Sequence, residues 1–379
     1  MNKESRPIRR VPIPNLTLLI ATICLQGFAQ VAFTADVKIP QIQQAAARGK
    51  VPQEVELAGD YFTGRGVPQD FKMAAYWYEK AAANGDAEAQ NKIGYFYQEG
   101  IGVPQNYVRA CHWYQLATAS GDVDAKVNLG VAYLWGKGVP KNKSLAVQLF
   151  QEAVRKGSGV AATYLGDLYY LGVELNQDRP AAERWLETGV KLHNPIAAYD
   201  LGSFFSTEND HPHDFPKAAK LLRQSVAEGY VPAMHSLGVL LIKHPELAKS
   251  PQEARTLLET AAGSGSWKAS IVLGVLARDG NGTPVDPATA YYHFQVAVLQ
   301  GGDSTRALLA NDFKRLSAIL DDEQTRELTT KASAWFRDRP VALAFVHVDS
   351  GDRKRLPAWG QTIDDDGIHA GQLLPVPLG

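Results

Sequence analysis

Two sets of polar residues in this chain have types and spacings that could do chemistry. His211 and His213, with Asp210 or Asp214, share one short segment, and His244 recurs about one repeat later. Imidazole and carboxylate can hold a metal, but a metal site needs three or four converging ligands. Pro212 and Pro245 set these turns without one, so solvated loops are the better account. Asp364-Asp365-Asp366 resembles half of a calcium loop but lacks the downstream bidentate Glu, which leaves an exposed acidic turn. Runs such as Gly100-Ile101-Gly102 are the nearest thing to a phosphate loop, yet they end helices, whereas a phosphate cradle opens one. No Ser has a Lys three residues on, and there is no Gly-x-Ser-x-Gly elbow and no His-Glu-x-x-His. The expectation is therefore no catalytic residue, no cofactor and no metal.

Charge and cysteine content narrow the classes further. The 379 residues carry 39 Lys+Arg against 40 Asp+Glu, a formal −1, which offers no bulk basic field for nucleic acid. At 45% apolar and 21% charged residues the chain is not of disordered composition. Lys3, Arg6, Arg9 and Arg10 form a basic head, an apolar stretch runs from Leu16 to Phe28, and small residues follow at Gly27-Phe28-Ala29. That is the layout of a signal peptide over residues 1–29, with an uncleaved inner-membrane anchor as the open alternative. Ile23 before Cys24 argues against lipidation. Cleavage after Ala29 leaves a formal −4 and one cysteine, Cys111, in a helical apolar pattern where it reads as a small buried side chain.

The elements that would position any site follow from a strict period. Ile93-Gly94, Leu129-Gly130, Leu165-Gly166, Leu201-Gly202, Leu237-Gly238 and Leu273-Gly274 recur every 36 residues. Ala74, Ala110, Ala146, Ala182, Ala218, Ala254 and Ala290 keep the same step. A glycine column at 49, 85, 121, 157, 229, 265 and 301 is interrupted only by His193. Within one period, Ala87 to Gln98 has helical spacing, Gly100 to Pro104 stops it, Tyr107 to Ser120 forms a second helix and Gly121 ends that. Each unit is thus a helix hairpin, with small residues at 94 and 110 allowing close approach. Pro40 to Gly49 fits the second helix of a partial first unit. Asp303 to Leu320 and Asp321 to Phe336 fit a closing unit with a polar outer face.

The run Ile93-Gly94-x-x-Tyr97-x-x-Gly100-x-Gly102-Val103, together with Ala74-x-x-Trp77-Tyr78-x-x-Ala81-Ala82-x-x-Gly85 one unit earlier, resembles the Sel1-like repeat. That family is a branch of the tetratricopeptide-like solenoids. Units at 50–85, 86–121 and 122–157 match almost completely. Glu174 replaces the second loop glycine of the fourth, the next two lose the loop pattern, and the unit at 266–301 recovers it. The resemblance implies an all-α, right-handed α-solenoid of about seven 36-residue hairpins over residues 40–338, with partial capping units and an extended tail over 339–379.

In such solenoids the first helix of each hairpin lines the concave face. Counting from the column glycine, the inner positions select Asn91, Tyr95, Trp135, Asp167, Tyr170 and Tyr199 as a partner-binding track. Tyr61, Tyr97, Tyr133 and Tyr169 fall in a different column and read as packing residues. The resemblance implies a non-enzymatic binding scaffold, periplasmic or secreted, holding a protein or a polysaccharide- or peptidoglycan-associated partner, with membrane contact only if the signal is retained. A membrane-tethered assembly factor and a β-lactamase-like envelope enzyme are the alternatives. The second is weakened because the relatives linked to β-lactams carry a Cys pair in each repeat and this chain does not.

Overall fold

The structure is a computed structural model that describes residues 39–172, 175–207, 213–280 and 284–337. Residues 1–29, Cys24, Glu174, His211, the 339–379 tail and Asp364 to Asp366 lie outside them.

After α1 (residues 39–47), seven first helices begin every 36 residues: α2 (Val51–Thr63), α4 (Ala87–Glu99), α6 (Val123–Trp135), α8 (Gly159–Leu171), α10 (Pro195–Thr207), α12 (Val231–Lys243) and α14 (Trp267–Asp279). The second helices alternate with them: α3 (Phe71–Ala83), α5 (Tyr107–Ala119), α7 (Lys143–Arg155), α9 (Arg179–Lys191), α11 (Phe215–Ala227), α13 (Glu253–Gly263) and α15 (Pro287–Leu308). Each hairpin packs on the next, and the result is an all-α solenoid with no strand among the described residues.

The starts of the second helices are set chemically. Asp70, Asn106, Asn142, Asp178, Asp214 and Asp286 stand one period apart, and each accepts a hydrogen bond from a backbone N–H of the first turn. The corresponding residue of the sixth unit is Ser250, followed by Pro251; there a short 3₁₀ turn (Pro245–Leu247) intervenes and α13 begins late, at Glu253, without a side-chain cap.

The column glycine fixes how closely the two helices of a hairpin approach. A Cβ at Gly94 would stand 2.7 Å from Tyr114, one at Gly130 2.7 Å from Phe150, and one at Gly274 2.4 Å from Phe294. The second loop glycine joins units. A Cβ on Gly102 would lie 2.1 Å from the Phe71 carbonyl oxygen, at the start of the previous second helix. His193 adopts φ 56 where its column otherwise carries glycine, and is the one non-glycine residue with positive φ among those described.

At the C-terminal end, Gly302 (φ 74, ψ −156) breaks α15 at the unit boundary. Beyond it the chain continues into α16 (Ala310–Leu316) and returns as α17 (Asp322–Arg337), which packs on α15. Asp321 and Gln324 cap α17 reciprocally, each accepting from the other's backbone N–H. Asp321, Asp322, Glu323, Arg326 and Glu327 are exposed, as a terminal unit requires. No helix among the described residues is long and apolar enough to cross a membrane.

Gly130→Leu drives new atoms into the Phe150 ring and should lower the unfolding free energy by about 1–3 kcal/mol or more. A urea titration followed by circular dichroism measures this, and an unchanged midpoint contradicts the proposed contact.

Candidate functional site

The six track residues all lie on first helices, but the structure treats them differently. Asn91, Tyr95, Trp135 and Tyr170 are half-buried. Asn91 Oδ1 accepts a hydrogen bond from Asn128 Nδ2 of the next unit at 2.9 Å. Tyr170 meets Phe204 edge-on at 5.9 Å. Trp135 packs against the core cluster that contains Leu134 and Phe150, and its indole N–H is buried with no hydrogen-bond acceptor.

Tyr199 and Asp167 depart from the expectation of exposed inner positions. Tyr199 is 4% exposed and packs edge-on against Tyr230 at 5.2 Å, so it is a core residue. Asp167 is 7% exposed. The cause is direct packing between successive first helices: α8 lies on α10, α10 on α12 and α12 on α14. The position three residues before the column glycine turns into those seams, which buries Thr163, Tyr199 and His235 with it. Of the tyrosines read as packing residues, Tyr97 is 3% exposed, while Tyr61, Tyr133 and Tyr169 are half-buried.

The structure adds two carboxyl sites that the columns did not select. The first is Glu99, the last residue of α4. Burial pushes its carboxyl up to about 7, opposed by the hydrogen bond from Gln98 and by the charge of Lys137. Tyr114 donates to Gln98 Oε1 at 3.1 Å, and Gln98 Nε2 donates to Glu99 Oε1 at 2.9 Å, so a buried relay holds this carboxyl. Gln105 donates both to the Gln98 carbonyl and to the Tyr107 hydroxyl, and Lys137 Nζ lies 5.2 Å from the centre of the Tyr107 ring. The Glu99 charge raises Tyr95 and Tyr107, in each case behind the larger effect of burial. Tyr95, Gln98, Glu99, Tyr107 and Lys137 thus form one polar and aromatic patch at the junction of the second and third units.

The second site is Asp200, 5% exposed on α10, whose carboxyl is driven well above the usual range by burial first and by Asp167 second. Neither carboxyl could be singled out from its column, because side-chain type does not reveal how near the next helix lies.

The remaining candidates carry no reactive couple. Cys111 is buried, its thiol lies 3.1 Å from the Lys137 carbonyl oxygen, and burial pushes it up to about 11, which keeps it neutral. His213 and His244 each stack on Phe215, at 5.1 and 3.9 Å between ring centres. Among the described residues no three His, Cys, Asp or Glu side chains converge to hold a metal.

With this geometry in hand, a protein-family model described as the Sel1 repeat matches residues 55–86, 87–122, 123–158, 159–194, 195–230 and 267–302. The region it leaves out contains the unit with the late α13. Among solved structures, a Sel1 repeat protein from Oxalobacter formigenes is 28% identical, with a TM-score of 0.51, over 57% of this chain and 88% of that one. A protective antigen of uropathogenic Escherichia coli strains, described as displaying an SLR fold, is 22% identical over 79% of this chain and 71% of that one, at a TM-score of 0.40. No curated protein matches.

Because the folded protein raises the Glu99 carboxyl above its ordinary value, stability attributable to it falls as pH rises from about 4.5 towards 7. Glu99→Gln should therefore melt higher than the parent at pH 8, by about 1 kcal/mol after allowance for solvent screening, and show little gain at pH 4.5. Thermal melts at the two pH values measure this, and an equal effect at both contradicts the raised value.

Proposed function

This chain belongs to the Sel1 repeat family, and we propose that it works as an exported scaffold of the bacterial cell envelope, holding a protein partner on the face built by its first helices. Sel1 repeat proteins are generally protein-interaction scaffolds and typically non-catalytic. The observation that carries the choice of face is Trp135, a large aromatic that stays half-buried at the end of α6. It has half-buried Tyr95 one first helix before it and Tyr170 one first helix after it. Interface anchors are characteristically large aromatics of this kind. The Glu99 patch beside Tyr95 adds a carboxylate and an amine that can order polar groups of a partner.

The export half of the reading rests on Lys3, Arg6, Arg9 and Arg10 ahead of the apolar stretch from Leu16 to Phe28. A polysaccharide- or peptidoglycan-associated partner would use the same aromatic positions. Mass spectrometry of the mature protein separates a cleaved form, shorter by about 29 residues, from a membrane-retained full-length one.

Trp135→Ala and Tyr170→Ala together should reduce partner retention from envelope extracts by roughly tenfold or more, the range of one strong interface anchor. Circular dichroism of the variant must match the parent. Retention unchanged on an intact fold would overturn the proposed face.

A further inference from the structure

Asp167 and Asp200 stand on successive first helices, α8 and α10, which pack directly on each other. Both are more than nine-tenths buried, and Asp167 Oδ1 and Asp200 Oδ2 are sealed from water without a hydrogen-bond partner. Neither carboxyl has a hydrogen bond or an ion pair with any described residue. A lone buried carboxylate is costly, and two sharing one seam cannot both ionise without a large penalty.

The surroundings offer no compensating cation. Tyr164 on α8 is itself raised by burial and by Asp167. Tyr199 on α10 is core, and His235 on α12 stands one period further along. On the flanking second helices Glu152 of α7 pairs with Lys126, Glu183 and Glu187 of α9 with Lys217 of α11, and Arg223 of α11 with Glu253. Lys143 and Arg155 of α7, Arg184 and Lys191 of α9 and Lys220 of α11 are exposed and Arg179 of α9 is half-buried; only burial, and for Asp200 also Asp167, shifts the two carboxyls.

We propose that Asp167 and Asp200 form a proton-dependent latch between the fourth and fifth units, closed while the pair holds a proton and released when both carboxyls ionise. Burial pushes Asp167 up to about 7, and Asp200 is raised further by its neighbour. An opened seam lets water reach both carboxyls and returns them to the ordinary aspartate value near 3.8. The closed state therefore holds protons that the open state gives up, so closure is strongest at low pH and weakens as pH rises from about 4 through 7. That direction is opposite to the behaviour of salt-bridged aspartates. Trp135 and Tyr170 stand on the N-terminal side of the seam, with Tyr170 touching Phe204 across it, so the latch would change the shape of the inner face with pH. It does not depend on that face binding a partner.

Hydrogen exchange of the full chain, corrected for the intrinsic pH dependence and read on α8 and α10, tests this. Opening linked to loss of one proton rises by up to about tenfold per pH unit between pH 5 and 7. In Asp167→Asn/Asp200→Asn that dependence should flatten on α8 and α10, while exchange of α4 keeps its parental profile. Should the double variant not fold, the single variants Asp167→Asn and Asp200→Asn serve, each with a weaker dependence than the parent. Opening of α8 and α10 that is independent of pH in the unmodified chain overturns the latch. So does a pH dependence that survives unchanged in the variants.

Discussion

The structure depends on one contact made over and over: in six of the seven first helices, α4 to α14, a glycine lies under a large side chain 20 residues later in the second helix, and in α2 the position is Ala58. Gly94 meets Tyr114, Gly130 meets Phe150, Gly166 meets Leu186, Gly202 meets Leu222, Gly238 meets Leu258 and Gly274 meets Phe294. With no Cβ on one side and a bulky residue on the other, the two helices of a hairpin come close. Tyr114, Phe150, Leu222, Leu258 and Phe294 are accordingly among the most deeply buried side chains. Since each hairpin contacts its neighbours, a uniform hairpin produces a regular stack, and stability accumulates unit by unit along it.

That regularity explains which features could be read from residues alone. The glycine–bulky contact is local, its two partners recur every 36 residues without insertion, and helix ends are marked by glycine and proline. Hairpins and their order are therefore written in short-range pattern. The sixth unit shows the same logic failing locally: Ser250-Pro251 replaces the Asp or Asn cap, and α13 starts at Glu253, a departure that side-chain type alone already signals. The inner face is different in kind. Whether Asp167 or Tyr199 is exposed depends on how near one first helix comes to the next, which is the sum of many small packing angles between units. Nothing in the type of residue at position 199 distinguishes a tyrosine on a groove from one against Tyr230.

The first-helix layer consequently has two characters. Around α4 and α6 it presents half-buried aromatics and amides with the Glu99 carboxyl among them, a surface on which a partner can replace water at low cost. Around α8 and α10 the same columns close into a seam, and the polar groups there, Asp167 and Asp200, are held without partners. Buried unpaired polar groups oppose folding, so Asp167 and Asp200 weaken this seam.

The central claim, that partners sit on the first-helix face, is tested most directly by position-specific photo-cross-linking in envelope extracts. A photoreactive residue at Tyr95 on the inner patch should capture a partner, whereas the same residue at the exposed Tyr76 of α3 should capture none. Capture at Tyr76 with none at Tyr95 would contradict the account.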